Sequence, residues 1–524
     1  MLQARRLSFV LVAAASLASL TSRAPASELA DLIQDGARRQ ALALIDSGAD
    51  VDGAQGDGTT PLHWAVYRVD AELVELLLER GADPDVINAY GSSPLAEAVK
   101  VADPGLVERL LEAGTDVESP NADGQTALML STRSGSTAVA RLLLEHGADV
   151  NAKEAWRGQT ALIWAADARF PEIVEILIAA GAEVDFRAEA FDWPSQITAE
   201  PRAQYRPVGG LTPLLYAARA GCTQCVRAIL AAGAVIDRPT PEGMTALMIA
   251  LDNGAFDTAA LLLDAGANPH LWDWYGRTAL YIAVDMNRGG GRGGGAGGGG
   301  AGGGGPAGDP GDGPVTGFEI IERLLAAGVN PNPQLNMHRP GRGGNIGRFS
   351  DPLLTTGATP LLRAALSQDL ETMRLLLEHG ALVDLPNVMG VTPLLAAAGI
   401  GGGGGRGGGF GGADRAIESI ETLLAAGADI DARVVDRYDR TASVGRAPNA
   451  LTEREGFSAL FAAVLGNSRP LVEFLIASGA EIDIVDARGR SPVDIALLDY
   501  FAEREKTVYE EMAELLRPYL AGGD

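Results

Sequence analysis

Few side chains in this chain are able to do chemistry, and their spacing decides which chemistry is open to them. Its two cysteines lie in one run, Cys222-Thr223-Gln224-Cys225. Two thiols three residues apart can close a local disulfide, cycle as a redox pair, or serve as small fillers of a turn and a helix face. A redox pair of this spacing belongs beside a strand–helix–strand unit, and no such pattern surrounds it. The five histidines, His63, His146, His270, His338 and His379, never fall two to a helix at ligand spacing, so no metal site is expected. There is no HExxH, EF-hand loop or G-x-S-x-G turn. Acidic pairs recur, as in Asp50-Val51-Asp52, Asp83-Pro84-Asp85 and Asp429-Ile430-Asp431. Such turn carboxylates are expected to be solvated, with loose calcium association as the alternative. Runs such as Gly293-Gly294-Gly295-Ala296-Gly297 contain GxGxxG through sheer abundance. No strand precedes them and no Gly-Lys-Ser/Thr follows, so they are not read as phosphate loops. No catalytic residue and no cofactor is predicted.

What rises above this background is aromatic. Trp272-Asp273-Trp274-Tyr275 falls in one turn and Trp156 in another, while Phe191 and Trp193 lie in a longer connection with Tyr205 nearby. Aromatic and arginine side chains are the usual anchors of interfaces. A second connection carries Arg339, Arg342 and Arg348 with His338 against one acid, Asp351. Arginine forks suit carboxylates or phosphates, so an anionic partner and self-pairing with the acidic turns are both open. The partner-binding set is therefore Trp156, Trp193, Trp272, Trp274, Tyr275, Arg339 and Arg342. The alternative for the rings is packing against the neighbouring connection. Trp64 and Trp164, which share one column of the pattern described next, are read as packing.

These residues must be positioned by a recurring element. Thr60 is placed to cap a helix and Pro61 to occupy its first position, where a missing N–H costs nothing. Leu62, Ala65 and Val66 give that short helix one apolar face, and Leu73, Leu76 and Leu77 do the same for a second helix. Gly81 stops the second helix, and Asp57-Gly58 has the chemistry of a tight hairpin turn. The turn glycines are Gly58, Gly91, Gly124, Gly158, Gly210, Gly243, Gly276, Gly357, Gly390, Gly456 and Gly489. Six of their gaps are 33 residues and one is 34.

Thr60-Pro61-Leu62-His63-Trp64-Ala65 followed by Gly81-Ala82-Asp83 resembles the ankyrin repeat, whose period is about 33 residues. The resemblance covers nearly all of the chain after residue 28. It implies an all-α solenoid of about ten repeats, each a helix–turn–helix with a β-hairpin loop, between two caps. It further implies macromolecular binding, at hairpin tips and on the concave face of the first helices, rather than catalysis. His63 is the histidine that opens the repeat, and His146 and His379 share a column just before the stop glycine, where a cationic ring suits a helix end. The chain also resembles exported bacterial ankyrin arrays.

The expected organisation follows from the gaps. Residues 27–58 form an N-terminal capping repeat, 59–276 carry repeats with a hairpin insert at about 182–210, and 277–489 carry repeats with further inserts. Two inserts lie in hairpins, at about 329–357 and 428–456. Two more, at about 288–316 and 399–414, are glycine-rich, lie between the helices of a repeat, and are expected to be disordered. Residues 490–524 form the C-terminal capping repeat.

Arg5, Arg6, the apolar run Leu7 to Leu20 and Ala24-Pro25-Ala26 read as a signal peptide cleaved after Ala26, which predicts a periplasmic or secreted protein. Such export makes the local disulfide plausible. The 524-residue chain carries a formal charge of −26, and losing 1–26 removes three arginines and no acid. A molecule so acidic should stay soluble and avoid nucleic acid and anionic membranes. The expected function is non-catalytic protein binding in the cell envelope, by a monomer with no membrane span after cleavage. Glycan or small-ligand stacking on the exposed aromatics, and a redox role of Cys222 and Cys225, are the two alternatives.

Overall fold

The computed structural model describes residues 27–193, 206–287, 315–336, 353–400, 412–435, 454–497 and 506–520. The signal segment, most of both glycine-rich inserts, Arg339 and Arg342 lie outside them. Among the described residues there are twenty-four helices and one two-stranded antiparallel sheet. The helices come in consecutive pairs: Glu28–Gln34 with Arg38–Asp46 at the start, Pro492–Leu497 with Lys506–Leu520 at the end, and ten pairs between. None is long and apolar enough to cross a membrane.

The pair Pro61–Tyr67 and Ala71–Glu79 shows why the sequence folds this way. Thr60 is extended, and its hydroxyl accepts the His63 N–H at 3.4 Å. Asp70 caps the second helix by accepting the Leu73 N–H at 3.1 Å. Helices of seven and nine residues are marginal alone, so packing must hold them. Leu62, Ala65 and Val66 of the first, and Leu73, Val74 and Leu77 of the second, are buried. Gly81 ends the second helix at φ +87°, a left-handed conformation that side chains resist.

The turn between the two helices also needs a left-handed residue. Glycine serves at Gly135 and Gly254, but Val69, Ala102, Arg169, Gln368 and Asn467 take the same conformation with side chains attached.

The chain divides into two compact units. The N-terminal unit holds residues up to Glu189 with Leu211–Ala217 and Gln224–Ala234, and the C-terminal unit holds the rest. Within each unit, a first helix packs on its own second helix and on the first helices of adjacent repeats. Within each unit the core is thus a seam shared by neighbouring repeats rather than a centre, as expected for a solenoid.

Hairpins add a second line of adhesion. The Ala89 N–H donates to the Asp57 carbonyl at 2.7 Å, and Ala155 to Asp123 at 2.8 Å. In the C-terminal unit Trp274 bonds Glu242, Val388 bonds Thr356 and Ala487 bonds Glu455 in the same way.

The first insert forms the sheet: Ala190–Trp193 pairs with Arg206–Gly209, Trp193 opposite Arg206. The bases of the other two hairpin inserts are also paired. Leu335 N–H bonds the Ala358 carbonyl at 3.1 Å, and Val434 bonds Phe457 at 3.0 Å.

Candidate binding surfaces

Several hairpin turns are stiffened by one polar side chain that gathers the backbone N–H groups following it. Asn88 Oδ1 accepts from Tyr90 and Ser92, both at 3.0 Å. Asn121 repeats this with Asp123 and Gln125. Glu154 does so with Trp156 at 2.6 Å and Arg157 at 2.8 Å. Asp273 accepts from Tyr275 at 2.9 Å and Arg277 at 2.8 Å. A turn tied in this way can present large apolar side chains to solvent without relying on them for its shape. Trp156 is 70% exposed, Trp272 66% and Trp274 51%. The Arg157 guanidinium lies 4.6 Å from the centre of the Trp156 ring.

Tyr275, expected beside these rings as a contact residue, is only 4% exposed. The Asn336 N–H donates to its carbonyl at 2.8 Å, and the chain at Gln334 and Asn336 lies against Gly276. Arg277 covers its ring at 5.5 Å. Tyr275 is therefore part of the hairpin's packing, a correction to its assignment as a partner-binding residue. Trp193 sits on a strand at the root of the first insert, not in a bare tip.

Sequence reasoning missed Tyr90, which is 79% exposed. Its signal was present, since Tyr90 follows the turn cap Asn88 by two residues, just as Trp156 follows Glu154. Tyr67 was also missed. It stands exposed on the first-helix face, edge-on to Trp64 at 5.6 Å. The rings of Trp64 and Trp164 are half-buried on that face, their indole N–H groups held by Gln55 at 3.0 Å and Gln159 at 2.9 Å.

The turn carboxylates do more than meet water. Asp83 N–H donates to Asp52 at 2.8 Å, Asp116 to Asp85 at 2.9 Å, and Glu183 to Asn151 at 2.8 Å. Asn268 to Asp237 and Glu481 to Asp431, both at 2.9 Å, continue the pattern in the C-terminal unit. One acceptor column thus ties neighbouring repeats together within each unit. Crowding acids has an electrostatic consequence at Glu118. Burial, and then the charges of Asp149 and Asp116, hold its carboxyl above the ordinary range against the Asp149 N–H bond.

Three of the histidines have structural roles. His63 is buried, with Nδ1 at 2.8 Å from the Thr60 hydroxyl and Nε2 at 2.9 Å from the Ser92 carbonyl. His146 and His379 place Nδ1 at 2.9 Å from the Leu142 and Leu375 carbonyls, one turn back in their helices. No group of three His, Cys, Asp or Glu suited to a metal ion occurs among the described residues. Cys222 and Cys225 are disulfide-bonded and buried.

Models of the ankyrin repeat match residues 31–121, 95–188, 196–273 and 214–290 as multi-copy blocks, and 356–388 and 455–487 as single repeats. These matches cover more than half of the chain, which belongs to the ankyrin-repeat family. Ankyrin repeats generally mediate protein–protein interaction. Among solved structures, the human ASB11 ankyrin repeat domain is similar at 22% identity and a TM-score of 0.38, covering 46% of this chain and 99% of that one. The ankyrin repeat domain of Bcl-3, described as a member of the IkappaB protein family, is similar at 27% identity and a TM-score of 0.37, covering 43% and 94%. No curated protein matches the chain.

Proposed function

We propose that the chain is a non-catalytic scaffold of the bacterial cell envelope that binds a protein partner through its hairpin tips and the face of its first helices. The observation carrying this is that Trp156, Trp272 and Trp274 stand exposed on turns whose shape is fixed by other groups. Rings held ready on rigid turns lose little entropy when a partner covers them. Tyr90 and Tyr67 extend the set in the N-terminal unit. The envelope location is supported by Arg5, Arg6, the apolar run Leu7 to Leu20 and Ala24-Pro25-Ala26. A disulfide-bonded cysteine pair also belongs to oxidising compartments.

The test is capture of partners from periplasmic extract by the mature chain and by a Trp156→Ala/Trp272→Ala/Trp274→Ala variant. The variant should fold with an unchanged melting temperature and lose the captured protein, each hot-spot ring being worth about 2 kcal/mol. Equal capture by both would remove the tips from the reading.

A further inference from the structure

The first-helix face of the N-terminal unit contains a recess of about 290 Å³ lined by Arg133, Gln159, Ile163, Trp164, Asp167, Ala168 and Tyr216. Its wall is locked by a relay of side chains. Gln159 Oε1 accepts the Trp164 indole N–H at 2.9 Å, and Gln159 Nε2 donates to the Tyr216 hydroxyl. Ile163 is fully buried beneath, and Ala168 leaves the mouth open where a larger side chain would fill it. The half-buried Trp164 ring is thus held in place by a hydrogen bond that is already satisfied, and the almost fully buried Tyr216 closes the wall behind it.

The lining charges are not equivalent. Asp167 is already engaged. Arg133 is exposed, and among the described residues its contact is with the Trp164 ring, 5.8 Å from the centroid, with no hydrogen bond or ion pair. We propose that this recess is a binding subsite for a planar apolar group bearing a carboxylate, the plane lying against Trp164 and the carboxylate taken by the Arg133 guanidinium. A guanidinium beside a ring is well suited to this, since it can pair with both oxygens of a carboxylate while remaining in contact with the aromatic face. The volume lies at the lower limit for ligand pockets, which selects a group the size of one aromatic acid, with a Kd on the order of 0.1–1 mM for such a fragment. The subsite uses none of the tryptophans of the hairpin tips, so it stands or falls separately from them.

Aromatic acids reach a protein either as free small molecules or as the C-terminal residue of a chain, and both present the same chemistry. The experiment titrates the full chain with indole-3-acetate and with its neutral amide, indole-3-acetamide, by ligand-observed NMR. The acid should bind roughly ten times more tightly than the amide, and Arg133→Gln should abolish that preference while leaving the circular dichroism spectrum unchanged. A parallel arm uses a short peptide ending in Phe with a free or an amidated C-terminus. Tighter binding by the free-carboxylate peptide than by indole-3-acetate marks a chain terminus as the natural source, and the reverse marks a small molecule. Equal binding of acid and amide, a preference that survives Arg133→Gln, or no saturation by any probe overturns the assignment.

Discussion

His63 shows how much one side chain can bind together. Ser92 offers a carbonyl, so Nε2 must carry the proton, and neutral Nδ1 is left to accept from Thr60, whose N–H is 3.2 Å away. Burial lowers its pKa, opposed by the Ser92 bond. A histidine whose folded pKa lies below its unfolded value of about 6.5 contributes stability that is present above that pH. The contribution is lost as the pH falls through the folded value. The urea midpoint of the wild type should therefore drop between pH 7 and pH 5, and His63→Gln should flatten that dependence. Arg277 is the second decisive residue. It bonds Asp273 at 2.7 Å and Asp252 at 3.1 Å while almost fully buried. Burial pushes the Asp273 carboxyl up, and Arg277 pulls it back down. Arg277→Met would leave a buried carboxylate without its counter-charge and should cost about 3–5 kcal/mol by chemical denaturation. Neither role is legible in the residue itself: the chain shows Asp273 and Arg277 four apart, but not that the hairpin closes over them.

At the scale of the element, the helix pair was the most readable feature, because its period, its caps and its stop glycine are all local. The turn between the two helices was less so. Val69 sits there at φ +55° although β-branched residues resist positive φ, and it is nearly half exposed. The turn is over-determined by the packing on either side, so the strain is carried by the rest of the repeat. Val69→Asn, the solution the chain itself uses at Asn467, should raise stability by about 1 kcal/mol in thermal or urea denaturation. An unchanged or lowered midpoint would mean that the side chain at this turn carries no strain. The hairpins were legible in outline only. Asp52 and Asp85 read as solvated turn acids, whereas each spends an oxygen on the next repeat's backbone. The partner lies 31 residues away in the chain, beyond any local rule.

At the scale of the whole molecule, net charge sets the response to salt. A chain of formal charge −26 built with columns of acids that face one another across neighbouring repeats repels itself. Screening that repulsion should outweigh the loss of the exposed ion pairs, which contribute little each. The melting temperature should therefore rise by a few degrees as NaCl goes from about 0.02 to 0.5 M, since the Debye length shrinks from about 20 Å to about 4 Å. A fall in melting temperature with salt would mean that pairs such as Arg38 with Asp70 and Glu72 matter more than the net charge. The same arithmetic favours basic partners over nucleic acid.

The sequence by itself determined the repeat: a 33-residue period, helices capped by threonine and proline, and glycines at the stops, because each of these is enforced within a few residues along the chain. It also brought Trp156, Trp272 and Trp274 to notice, since turn residues of that size have no apolar face of their own to join. Only the tertiary structure decided which of the rings are available. Tyr275 and Tyr90 occupy like positions two residues after a turn cap, yet one is buried beside Arg277 and the insert backbone and the other stands in solvent. What separates them is the neighbour each repeat meets, and exposure is a property of that contact, not of the residue.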